Sequence, residues 1–170
     1  MSSWLSETEF RQAGADAVGI TINVAFLQEI KADYDFRQLL NDTYLQLGER
    51  TMGWVSPRVA AELLENLRDE LETYFALEEF YGYFTDAEVV NPCVGQTANQ
   101  LRTDHQELFI QLNELVELAQ QITYREIGPE TTVADVFEQF ETFCKDLAHH
   151  EQAEMDLMMR LCNEDIGVGD

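Results

Sequence analysis

Positive charge is scarce in this chain: ten Lys and Arg face thirty-three Asp and Glu over 170 residues, a formal net charge of −23. Such a surface repels nucleic acid phosphates and anionic lipid headgroups, so neither nucleic acid nor membrane is expected as a partner. Cysteine is sparse too. Cys93, Cys144 and Cys162 form no CxxC and cannot all pair, which argues against a disulfide framework and suits a reducing cytoplasm. No basic segment followed by an apolar core opens the chain, so no signal peptide is read. The most apolar early stretch, 13–27, is interrupted by Asp16 and Asn23 and is too short and polar to span a bilayer. Missing as well are a phosphate-cradling glycine loop, a nucleotide fingerprint and a nucleophile–base arrangement. Any catalysis would therefore turn on a metal. The expectation is a soluble, cytoplasmic protein.

What is present points to helices. Hydrophobic residues make up 45% of the chain, enough to bury a core within one domain. The three prolines fall where helices should start or break. Ser56-Pro57 reads as an N-cap with proline at the first helical position. Asn91-Pro92 reads as a turn, and Gly128-Pro129 closes one periodic run before Thr132 and Asp135 offer a capping box to the next. The helices predicted from these signals cover roughly 18–48, 57–84, 96–122 and 131–162. Apolar residues recur at alternating steps of four and three: Leu64, Leu67 and Leu71 in the second run, Leu101, Leu108, Leu112 and Leu115 in the third, Val136, Phe140, Phe143 and Leu147 in the fourth. The first run is less regular, with a stripe of Leu27, Ile30 and Tyr34 that continues into Arg37 and Asn41. No strand-like alternation competes. The fold class is all-α: an up-down-up-down four-helix bundle over 24–162, with 1–23 as an N-terminal arm or an extension of the first helix and 163–170 as a C-terminal tail.

The seams also carry polar residues. Tyr74-Phe-Ala-Leu-Glu78 and His150-Glu-Gln-Ala-Glu154 repeat one five-residue frame, each preceded by leucine at the same distance, and Asp33-Tyr34 answers Asp104-His105 at a similar separation. In an alternating bundle His105, His150, Glu154, Tyr74 and Glu78 fall within about one turn of the same depth, at about 1.5 Å of rise per residue. Tyr34 joins that layer if the first helix starts near Ala25. Buried carboxylates must be protonated, paired or bound to a cation. Imidazole and carboxylate together suit iron, manganese or zinc, while a metal-free network of His, Glu and Tyr hydrogen bonds is the competing account. His149 reads as a flanking residue, Glu79 and Glu151 as solvated or supporting groups, and Met155, Met158 and Met159 as packing at a bundle end or interface.

On these residues the chain resembles the hemerythrin-like (HHE cation-binding) family, whose four-helix bundles hold a metal pair, usually iron. The family carries a histidine early in helix one, His-x-x-x-Glu in helix two, His-x-x-x-His in helix three, and a histidine followed by a carboxylate in helix four. Here helix four matches with His150 and Glu154, and helix three with His105. Helix two keeps Glu78 but has Tyr74 for the histidine, helix one has Tyr34, and Phe109 stands at the second position of helix three. The resemblance implies a metal site drawn from His105, His150, Glu154, Glu78, Tyr74 and Tyr34, holding one or two iron ions, with manganese or zinc as substitutes. It implies iron or oxygen sensing, storage or detoxification, with oxygen or peroxide as further partners. The alternatives are a metal-free bundle serving as an interaction module and a diiron oxidoreductase acting on peroxide or oxygen.

Overall fold

The computed structural model describes residues 24–49, 53–81 and 92–166. The proposed arm at 1–23 lies outside them, as do the side chains of Leu27 and Ile30. Helices α1 (Val24–Gly48), α2 (Pro57–Tyr81), α3 (Pro92–Tyr124) and α4 (Val133–Ile166) follow in order, and no strand occurs among the described residues. No helix searched is long and apolar enough to cross a membrane.

Local chemistry sets the helix ends. The Ser56 hydroxyl accepts the Val59 amide at 3.3 Å, with Pro57 opening α2. Before α4, Thr132 donates both its amide and its hydroxyl to Asp135 Oδ2, at 2.7 and 3.0 Å. Two boundaries differ most from the sequence reading. Pro92 starts α3 rather than sitting in a turn, because its fixed φ and missing amide suit the first helical position equally well. Helix α4 continues through 163–166, so the tail is shorter than expected. Helix α3 ends without glycine: Arg125 adopts φ 57°, donating to Ile122 O at 3.2 Å, and Glu126 donates to Gln121 O at 2.9 Å. That pair of bonds is a Schellman cap.

Contacts between side chains fix an antiparallel register throughout. Phe36 of α1 meets Tyr74 of α2. Arg68 and Glu65 of α2 reach Asn113 and Gln120 of α3, while Glu79 reaches back to His105. Gln111 of α3 donates to Asp146 of α4. Tyr44 and Arg37 of α1 close the ring against Glu141 and Glu151 of α4. This is the up-down-up-down four-helix bundle that the sequence predicts. Its core is built from Leu64, Leu67, Leu71, Leu112, Phe140 and Leu147, among others, each contributing about 1.5–3 kcal/mol by leaving water.

Helix α1 departs from its expected register. The inward residues are Phe36, Thr43 and Leu47, and Tyr34 is 64% exposed. Tyr34 and Phe36 are two positions apart, about 200° around the axis, so burying the more apolar ring turns the phenol outward. Tyr34 therefore does not reach the polar layer.

Candidate metal centre

His105 of α3 and His150 and Glu154 of α4 are buried together, although each is a residue type that usually prefers water. His150 and Glu154 are one turn apart and project the same way. One ligand atom from each of the three residues lies within 4.8 Å of the others. Nε2 of His105 lies 3.4 Å from Glu154 Oε1 and 3.6 Å from Glu78 Oε2. Nε2 of His150 lies 3.2 Å from the same Glu154 oxygen. The imidazole centroids are 4.7 Å apart and steeply inclined. The sequence expectation that these four residues share one layer matches this geometry.

Each imidazole turns its other nitrogen outward, toward a carboxylate. Nδ1 of His105 contacts Glu79 Oε1 at 3.0 Å, and Nδ1 of His150 faces Asp104 Oδ2 at 3.8 Å. A carboxylate behind a histidine fixes its tautomer and leaves the inner nitrogen available as a ligand. Glu79 was expected only as a solvated or supporting group, and Asp104 only as one half of a repeated dipeptide. Their signal in the sequence is adjacency: each neighbours a seam residue, so each sits at the edge of a helix interface. Phe75 completes the setting by stacking on His105 and meeting His150 edge-on.

The electrostatics of Glu154 oppose one another. Burial favours the neutral acid, but hydrogen bonds from His105 and His150 and the charge of those imidazoles outweigh it and hold the carboxyl below the usual range. Tyr74 goes the other way. Burial, then the negative charge and hydrogen bonding of Glu78, push its phenol far above the ordinary value. Its ring lies flat on Phe36, with centroids 5.0 Å apart and planes 6° from parallel. Tyr74 thus borders the cluster as a neutral, packed ring. His149 is exposed, and Phe109 is half-buried in the groove between α2 and α3.

The model of the hemerythrin HHE cation binding domain matches residues 34–162. The chain belongs to this family. Comparisons with curated proteins and with solved structures return no significant match. Membership implies a bound metal ion, and the cluster can be tested against that implication. The inner nitrogens of buried His105 and His150 converge on the same Glu154 oxygen, at 3.4 and 3.2 Å, so a cation among the three would be held by all of them. The donors fit a metal ion on the α3–α4 side of this hemerythrin-family bundle. On the α1–α2 side, the Phe36–Tyr74 stack and the outward Tyr34 offer no comparable set.

Proposed function

We propose that this protein binds a single iron ion through His105, His150 and Glu154, with Glu78 as a fourth or bridging carboxylate, and works in iron or oxygen-species sensing, storage or detoxification. The convergence of three ligand atoms within 4.8 Å carries this reading. Two histidines and one carboxylate are the donor set that suits non-haem ferrous iron while leaving coordination positions open; manganese or zinc can use the same atoms. Bound there, iron supplies redox chemistry toward oxygen or peroxide. The chain's own residues do the rest: Glu79 and Asp104 orient the imidazoles, and Phe75 restricts their rotation.

The packing on the opposite side favours one ion over two. Tyr74 is stacked on Phe36 and hydrogen-bonded to Glu78, with burial raising its pKa, and Tyr34 is exposed, so phenolate ligation is not part of this proposal.

The test is metal analysis after anaerobic loading with ferrous iron and desalting. We expect close to one equivalent per chain in the wild type and loss of it in His150→Ala and Glu154→Gln. Uptake of only a small fraction of an equivalent would overturn the reading and leave a metal-free interaction module. Two equivalents, with turnover of peroxide abolished in Glu154→Gln, would favour the diiron oxidoreductase instead.

A further inference from the structure

Outside the buried cluster, α3 and α4 part to form a cleft of about 280 Å³. Its walls carry Asp104, Glu107, Gln111, Asp146 and His149, its floor is His150, and no Lys or Arg lines it. Acidic side chains on a protein of charge −23 would by themselves mean little. The floor is the informative part. The His150 side chain is 3% exposed, and its Nδ1 has no hydrogen-bond partner among the described residues. The nearest carboxylate oxygen, Asp104 Oδ2, lies at 3.8 Å, within ion-pair range but too far for a hydrogen bond.

Both key carboxylates are held in place by neighbouring amides. Gln100 Nε2 donates to Asp104 Oδ1 at 2.9 Å, which leaves Oδ2 toward His150. Gln111 Nε2 donates to Asp146 Oδ2 at 3.2 Å, which leaves Oδ1 uncommitted to that bond. The volume matters as well. Six waters at about 30 Å³ each, the octahedral shell of a small divalent cation, occupy about 180 Å³. The cleft is large enough to take them. By contrast, the groove between α2 and α3 that touches His105 is lined by Phe75, Phe109 and Ile110 and offers little to a hydrated ion.

We propose that the α3–α4 cleft is a second, outer cation site, which holds a hydrated divalent ion of the magnesium or manganese type against Asp104, Asp146 and His150 Nδ1. The carboxylates take the charge of the ion through its water shell, and one of those waters donates to His150 Nδ1 while the ring proton sits on Nε2 toward Glu154. The outer site therefore fills while His150 is not ligating an inner metal. Its further role, as the vestibule from which ions pass to the buried ligands, rests on the function proposed above.

Three histidines make the test direct, because the imidazole proton NMR signals of His105, His149 and His150 are few and can be identified by single replacements. Manganous ion is the probe, added in substoichiometric amounts to the Glu154→Gln variant, in which the inner cluster lacks its central carboxylate. The expected result is selective broadening of the His149 and His150 signals, with the exposed Tyr124 ring unaffected. Replacing Asp104→Asn together with Asp146→Asn should weaken that effect by roughly tenfold or more, as expected when charged hydrogen bonds are lost. Broadening no greater at His149 than at Tyr124, or unchanged in the double replacement, would overturn the outer site. Cleft broadening intact in a wild-type protein that takes up no ferrous iron would defeat the inner iron site while supporting this one.

Discussion

Phe75 lies flat against His105, with ring centroids 4.0 Å apart and planes 11° from parallel. It also presents its edge to His150, at 5.8 Å and 74°. One phenyl ring therefore limits the rotation of both candidate ligands. Phe75→Ala should lower unfolding free energy by about 3–5 kcal/mol, measured by urea denaturation. Phe75→Leu should cost less, roughly 1–2 kcal/mol, yet still weaken ferrous binding in a metal titration. A leucine variant that loses stability with unaltered affinity would reduce Phe75 to a filler of space.

Glu79 acts on the site from its edge. Its side chain is 43% exposed and contacts His105 Nδ1 at 3.0 Å. Glu79→Gln keeps the shape and a hydrogen-bonding group but removes the charge that favours the ligand tautomer. Metal affinity should fall by about 10–100-fold, with the melting temperature of the apoprotein nearly unchanged. Calorimetric titration with manganous or cobaltous ion reads the first quantity, and a thermal scan the second.

The apoprotein should also lose stability in acid through Glu154. Its carboxyl is held below the ordinary value in the folded state. The stabilisation is thus complete above the unfolded-state pKa of about 4.3 and fades as pH falls through the folded-state value. Urea midpoints measured between neutral and strongly acid pH should decline more steeply in the wild type than in Glu154→Gln. Parallel declines would show that Glu154 is not the group responsible.

Arg125 is a site where stability can be gained. It is the C′ residue of α3, with φ 57° and no Cβ-free backbone to ease that conformation. A left-handed residue other than glycine costs roughly 1–2 kcal/mol. Arg125→Gly should recover about 1 kcal/mol, since some is lost again to the freer unfolded chain. The expected rise in melting temperature is about 2–4 °C.

The helices and their order were readable because proline, serine, threonine and period-3.6 seams mark them in the sequence. So was the convergence of His105, His150, Glu154 and Glu78, since matched depths in an alternating bundle place them in one layer. Tyr34 was misplaced for an identifiable reason. Helix α1 offers two plausible inward faces, and the winning one, through Phe36 and Leu47, is decided by which side chain fills the space against Tyr74. That is a packing fact, invisible from one helix alone. Glu79 and Asp104 escaped notice because periodicity assigns a residue to a face but not to the boundary between faces, where a flexible carboxylate can reach around. The Arg125 cap carries no compositional mark at all, because the residue that adopts the left-handed conformation is not the glycine that usually advertises it.

The Phe36–Tyr74 stack also makes the two faces of the bundle unequal in what they can be asked to do. A histidine placed at 34 would face the solvent, as Tyr34 does, unless the whole first helix rolled by nearly half a revolution. Engineering new donors on that wall therefore means moving a helix, whereas the α3–α4 wall already presents its donors inward.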